Sequence, residues 1–149
     1  MNEQLIQILK VLLADTIALK FKAQGYHWNV ESDDFPQQHS FYGAVYEDHE
    51  GAVDEFAEWI RMLDAYAPFK LSRFAELTTI PETEISSNPE EMNADLYASI
   101  EIIKEKLKAA GALANQAAEF GLANFLADRQ TASQKWCWQL RASLKEVGE

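Results

Sequence analysis

Apolar side chains recur every three or four residues through most of the chain, the period of one face of an α-helix. Leu5, Leu9, Leu12, Thr16, Lys20 and Gln24 fall in step, and Ile8, Leu13 and Ile17 widen the stripe, which predicts a helix over about residues 3–29. The segment Glu31 to Pro36 then breaks the pattern. Its acidic and Ser residues suit N-caps and Pro36 suits a first helical turn, so a second helix starts near residue 36. Tyr42, Val45, His49, Val53, Phe56, Ile60 and Leu63 form its apolar row, which ends around Asp64 ahead of Pro68. Asn88, Pro89 and Glu91 take the cap, first-turn and N3 places of a third helix. Its buried face is Met92, Leu96, Ile100, Ile103, Leu107, Ala110, Ala114 and Ala117. A last helix over about residues 122–146 carries Leu122, Phe125, Arg129, Ala132, Trp136, Leu140 and Leu144 in step.

Four long helices make the class all-α, and 21 Ala against 5 Val agree with it. The 24 residues from Asp64 to Ser87 are too many for a bundle turn, so this connection is expected to cross the bundle, with RFAEL forming a short helix inside it. A chain of 149 residues accommodates one domain, taken here as 1–149. No internal repeat or low-complexity run interrupts it. Charges at Glu3, Lys10, Asp15 and Lys20 leave neither a signal-peptide core nor a membrane span at the start. Cys137, the single cysteine, has no intrachain partner. A soluble, cytoplasmic protein is expected.

Chemistry is concentrated on the second helix. His39, Gly43, Glu47, Glu50, Asp54 and Glu58 also step by three or four, and their mean direction lies roughly 145° from the apolar row. Such a stripe is ordinarily a solvated face. Imidazole and carboxylate together, however, suit iron, zinc or manganese, and Asp54 and Glu58, one turn apart, could share an ion. His39 cannot join them within one helix, because fifteen residues put it roughly 22 Å away. Two copies packed antiparallel about a two-fold axis would bring His39 of one to Asp54 and Glu58 of the other. His27, twelve residues before His39 at the end of the first helix, reads by itself more readily as a dipole partner or a satisfied core residue than as a ligand.

YHWNV, then His39, then DEFAEWI with Asp54 and Glu58, then TASQKWCWQLRASL near the end of the chain resemble the Dps family, the miniferritins, over nearly the whole length. The resemblance implies a ferritin-like four-helix bundle with a short helix in the connection between helices two and three. It implies a hollow dodecamer built from two-fold dimers, in which Fe(II) is oxidised and stored as a ferric mineral. It places iron between His27 and His39 of one subunit and Asp54 and Glu58 of its neighbour, with hydrogen peroxide as oxidant and dioxygen as a slower substitute. Trp28 would lie close to that iron and intercept stray oxidising equivalents, or else is a core aromatic. Two positions depart from the family. Gly43 stands where a carboxylate is common, with Glu47 one turn on as a possible substitute, and Trp59 stands where Arg is frequent beside Glu58. A Dps-like shell with a degraded site and little turnover is therefore the alternative function, and a plain bundle that binds a partner helix is a third.

Thirteen Lys and Arg against 24 Asp and Glu give a formal charge of -11, which favours cations as partners. Glu119 and Asp128 are candidates to line a pore; His49 reads as a packed or hydrogen-bonded core histidine. Trp136, Cys137 and Trp138 read as packing, with Lys135 the only cation near the thiol. The start MNEQLIQ and the tail ASLKEVGE carry no cationic arm for phosphate contacts. Duplex DNA mixed with the purified protein is therefore expected to show no mobility shift in about 0.15 M salt.

Overall fold

A computed structural model describes residues 2–84 and 86–145, and the end of the tail on which the DNA expectation partly rests lies outside them. Among the described residues there are five helices and no strand: α1 (Glu3–Asn29), α2 (Phe35–Met62), α3 (Leu71–Leu77), α4 (Pro89–Gln116) and α5 (Phe120–Leu144). The expected boundaries agree within about two residues, and the short helix around RFAEL is α3. Helices α1 and α2 form one antiparallel hairpin and α4 and α5 another, with α1 packed on α4 and α3 lying against α1. No described helix is long and apolar enough to cross a membrane.

The ends of the helices follow local chemistry, though not always the expected one. Asn88 caps α4 by accepting from the Glu90 N–H at 2.8 Å, but Glu91 does not close a reciprocal box; its carboxylate accepts from the Ser86 hydroxyl instead. Asp34 sits at the N-cap of α2 without a side-chain cap bond, and Pro36 occupies the first turn. Both tight C-terminal turns use a left-handed residue that is not glycine, Asp64 at φ 67° after α2 and Ala118 at φ 58° after α4. The second is a conformation that costs an alanine about 1 kcal/mol.

The expected rows make the core. Tyr42, Val45, Phe56 and Ile60 of α2 interlock with Leu5, Leu9, Leu12 and Leu19 of α1 and with Met92, Leu96, Ile100, Ile103 and Leu107 of α4. Ala117, expected to be buried, is exposed because α4 has already ended at Gln116. The crossover is pinned by carboxylates that the apolar rows gave no reason to single out. Asp15, fully buried on α1, accepts from the Thr78 hydroxyl at 2.8 Å and from the Thr79 N–H and hydroxyl at 2.6 and 2.9 Å, with Lys106 of α4 at 3.3 Å. Asp95 of α4 accepts from Tyr26 at 2.5 Å and Thr83 at 3.1 Å and pairs with Lys22 at 2.8 Å. Burial alone would raise the Asp95 pKa, but the bonds from Lys22 and Tyr26 outweigh it and hold the group below the usual carboxylate range.

His49 is 1% exposed, as its place in the apolar row requires. Its Nδ1–H donates to the Val45 carbonyl at 2.8 Å, and Nε2 faces the core with no partner. Burial first, then the nearby Arg129 guanidinium, push its pKa down to about 4. The unfolded chain therefore takes up this proton first as pH falls from about 6.5. Stability is full at neutral pH, and the His49 contribution is lost between about pH 6.5 and 4, by up to about 3 kcal/mol. Thermal unfolding from pH 7.5 to 4.5 is expected to show this loss, and His49→Leu to flatten the slope in that window.

Candidate metal centre

The end of α1 and the start of α2 meet at a pair of imidazoles. His27 and His39 stack with ring centroids 3.7 Å apart and planes 14° from parallel. Each ring bonds the backbone of the other residue: His27 Nδ1 lies 2.6 Å from the His39 carbonyl and His39 Nδ1 lies 2.7 Å from the His27 carbonyl. A carbonyl only accepts, so in both rings Nδ1 carries the hydrogen and donates. In the neutral ring that tautomer leaves the lone pair on Nε2, the atom through which such an imidazole ligates a metal. Phe35 stacks on His39 at 5.0 Å and Tyr46 lies 5.5 Å from His27, completing a run of four rings.

Gly43 acquires a physical reason here. A Cβ built on it would stand 3.1 Å from both Cε1 and Nδ1 of His27. The missing side chain at 43 is thus room that the His27 ring uses. Glu47 itself is exposed one turn further on. Trp59, at the second departure, lays its indole over α5, where a Cβ on Gly121 would meet it at 3.1 Å.

The acidic pair stands apart from the imidazoles. Asp54 and Glu58 are both exposed on α2. Asp54 borders a shallow groove with Ile17, Lys20, Phe21 and Glu50, in which Lys20 pairs with Glu50 at 3.7 Å. Among the described residues, no three His, Cys, Asp or Glu side chains come together in a single chain as a metal-holding group. The helix explains why: a straight rod with a rise of about 1.5 Å per residue keeps residues 39 and 54 apart whatever the side chains do. The donor set of the sequence is present in two halves, two presented imidazoles and two exposed carboxylates. Imidazole and carboxylate donors together suit a first-row metal such as iron.

Other expected positions fall differently. Trp28 is 65% exposed beside His27, so it is not a core aromatic in the single chain. Glu119 is the residue before α5 and Asp128 is exposed on it. Cys137 is fully buried, and burial together with a hydrogen bond to Glu101 pushes its thiol up to about 12. Its charged surroundings are Glu101, Lys104 and Arg141 rather than Lys135. Trp138 is 61% exposed and is not packing within one chain.

Sequence reasoning also missed the link that ties α2 to α5. Asp48 accepts two bonds from Arg129, each 2.9 Å, and one from the Trp136 indole at 2.9 Å. Burial would raise its pKa, but the Arg129 and Trp136 bonds hold it below the ordinary range. Partners 81 and 88 residues away leave no mark in a helical period.

A ferritin-like domain profile matches residues 6–148. The chain is 28% identical over 139 residues to the DNA protection during starvation protein of Helicobacter pylori, covering 93% of this chain and 96% of that one. It is 25% identical to DNA protection during starvation protein 2 of Bacillus anthracis, over 98% and 100% of the two chains. A crystal structure of a Dps protein from Vibrio cholerae, described as a member of a broad superfamily of ferritin-like diiron-carboxylate proteins, superposes with a TM-score of 0.92 at 26% identity, over 97% and 91% of the chains. Dps from Thermosynechococcus elongatus has the same fold, with a TM-score of 0.94 at 21% identity over 99% and 94%.

The space at Gly43 can be measured by contrast with Gly111, whose added Cβ meets nothing within 4 Å near the C-terminal end of α4. Gly111→Ala is expected to raise unfolding stability by roughly 0.5–1 kcal/mol through helix propensity. Gly43→Ala should gain less than this or lose stability, because His27 has to yield; urea unfolding of the two variants gives the comparison.

Proposed function

The chain belongs to the ferritin-like domain family as a Dps-type miniferritin, and from that membership we propose that it oxidises Fe(II) and stores it as ferric mineral. In this reading it assembles in the cytoplasm as a hollow shell of twelve subunits built from two-fold dimers. His27 and His39 of one subunit and Asp54 and Glu58 of its neighbour form the oxidation site. The observation that carries the reading is the reciprocal pair of bonds from each imidazole Nδ1 to the other residue's backbone carbonyl, which leaves both Nε2 atoms for ligation.

Iron is here the substrate. Imidazole nitrogen holds Fe(II), while the hard oxygens of Asp54 and Glu58 favour Fe(III) as it forms. Each Fe(II) gives up one electron; one hydrogen peroxide takes two electrons and two protons and leaves as two waters. Dioxygen is the slower oxidant. The backbone bonds to Nδ1 keep the rings in one tautomer through the cycle, so His27 and His39 need no rearrangement to bind the next ion. Gly43 leaves α2 one carboxylate short beside the imidazoles. Trp28, exposed next to His27, stands where stray oxidising equivalents would reach it. Glu119 and Asp128 near the start of α5 are the pore candidates, where negative charge would raise the local concentration of incoming cations.

The test is to load the protein with Fe(II) without air, add peroxide and follow ferric absorbance. His39→Ala is expected to slow the oxidation roughly tenfold or more, with oligomer size unchanged. Equal rates in both proteins would support the alternative, in which the departure at Gly43 has left a shell without appreciable turnover.

A further inference from the structure

Charge is sorted along this chain in a way that iron oxidation does not require. From Ala23 to Ile60 there are nine carboxylates and no Lys or Arg, whereas Arg61, Lys70 and Arg73 follow within thirteen residues against Asp64 alone. Three of the nine, Glu31, Asp33 and Asp34, crowd the turn between α1 and α2 and are exposed. Trp28 and Phe35 flank them, both exposed. At the other end of the hairpin, Tyr66 and Phe69 are 83% and 80% exposed. With Lys10, Pro68, Lys70 and Arg73 they border a surface recess of about 330 Å³. The Arg61 guanidinium lies over the Tyr66 ring at 4.7 Å.

One register relates these two surfaces. When two copies of α2 pack antiparallel about a two-fold axis, the numbers of facing residues have a constant sum, so fixing one pair fixes all the others. The register that sets His39 opposite the middle of the Asp54–Glu58 turn also sets Asp34 opposite Arg61. It carries the rest of the acidic turn toward the segment that holds Tyr66, Phe69 and Lys70. Parallel packing would instead place acid on acid and base on base.

We infer that the acidic turn Glu31–Asp34 of one copy docks on the Arg61, Tyr66, Phe69 and Lys70 surface of a second copy, once at each end of the pair. This clamp selects the antiparallel register in which the two half-sites meet. The inference rests on the split-site reading above and adds what sets its geometry. Opposite charges steer the encounter and penalise wrong alignments, while the exposed rings supply apolar area at the centre of each contact.

The test uses the full chain without iron. Asp33→Lys with Asp34→Lys reverses the turn, and Arg61→Glu with Lys70→Glu reverses the recess; all four side chains are exposed, and circular dichroism checks that helix content is kept. In sedimentation at about 0.05 M salt, each variant alone is expected to dissociate at a concentration roughly tenfold or more above that of the unaltered protein. An equimolar mixture restores opposite charge at both ends of a mixed pair, so it should regain full assembly, with mixed pairs in native mass spectra. Variants that each assemble like the unaltered protein, or a mixture that regains nothing, overturn the clamp. If those variants still oxidise iron, the split-site reading stands without it, whereas an unaltered chain that stays monomeric defeats both.

Discussion

An α-helix is a rod, and its fixed rise per residue governs what this protein can do with its polar residues. His39 and Asp54 lie on one helix with fifteen residues between them, a separation of roughly 22 Å that no side chain spans. The fold adds rigidity to that separation. Apolar rows from α1, α2 and α4 interlock along the bundle, and Asp15 and Asp95 tie the crossover to the helices it passes. In the proposed site, two donor pairs held so firmly apart in one chain would come together only through a second chain. Assembly and chemistry become one problem.

At the imidazole half, the backbone does more than carry side chains. Two carbonyl oxygens, from residues 27 and 39, each accept from the ring of the other residue, so tautomer and ring orientation are set within the single chain. Close stacking of the rings has a steric condition, met by the absence of a side chain at Gly43. A position that looks like a lost ligand in the sequence is also a place where the ring rests. The same residue thus serves the geometry of the pair and limits the donors around it.

Charge distribution carries a second layer of information. The acidic stripe of α2 and the acidic turn before it are separated from the cations that follow Ile60, so the hairpin has an acidic end and a basic, aromatic end. Two such hairpins in antiparallel array are complementary at both ends. Within the bundle the opposite holds: Asp48 with Arg129 and Asp95 with Lys22 are paired internally and half-buried or better, and contribute to the fold rather than to recognition.

Helix boundaries, the crossover with its short helix, and the face on which His49 is buried were legible because each is written in a local period that any window of the chain repeats. The polar stripe was legible for the same reason, and the motifs around His27, His39, Asp54 and Glu58 pointed to the family. The stacking of His27 on His39, the role of Gly43, the exposure of Trp28 and Trp138, and the Asp48–Arg129–Trp136 link were not, since each depends on which faces of separate helices meet. Periodicity records how a residue sits on its own helix, and so the sequence determined the elements and the donors they carry. Where those donors point, and which carboxylates are consumed inside the bundle, was decided by packing between helices, a contact between residues far apart in the chain that no local pattern encodes.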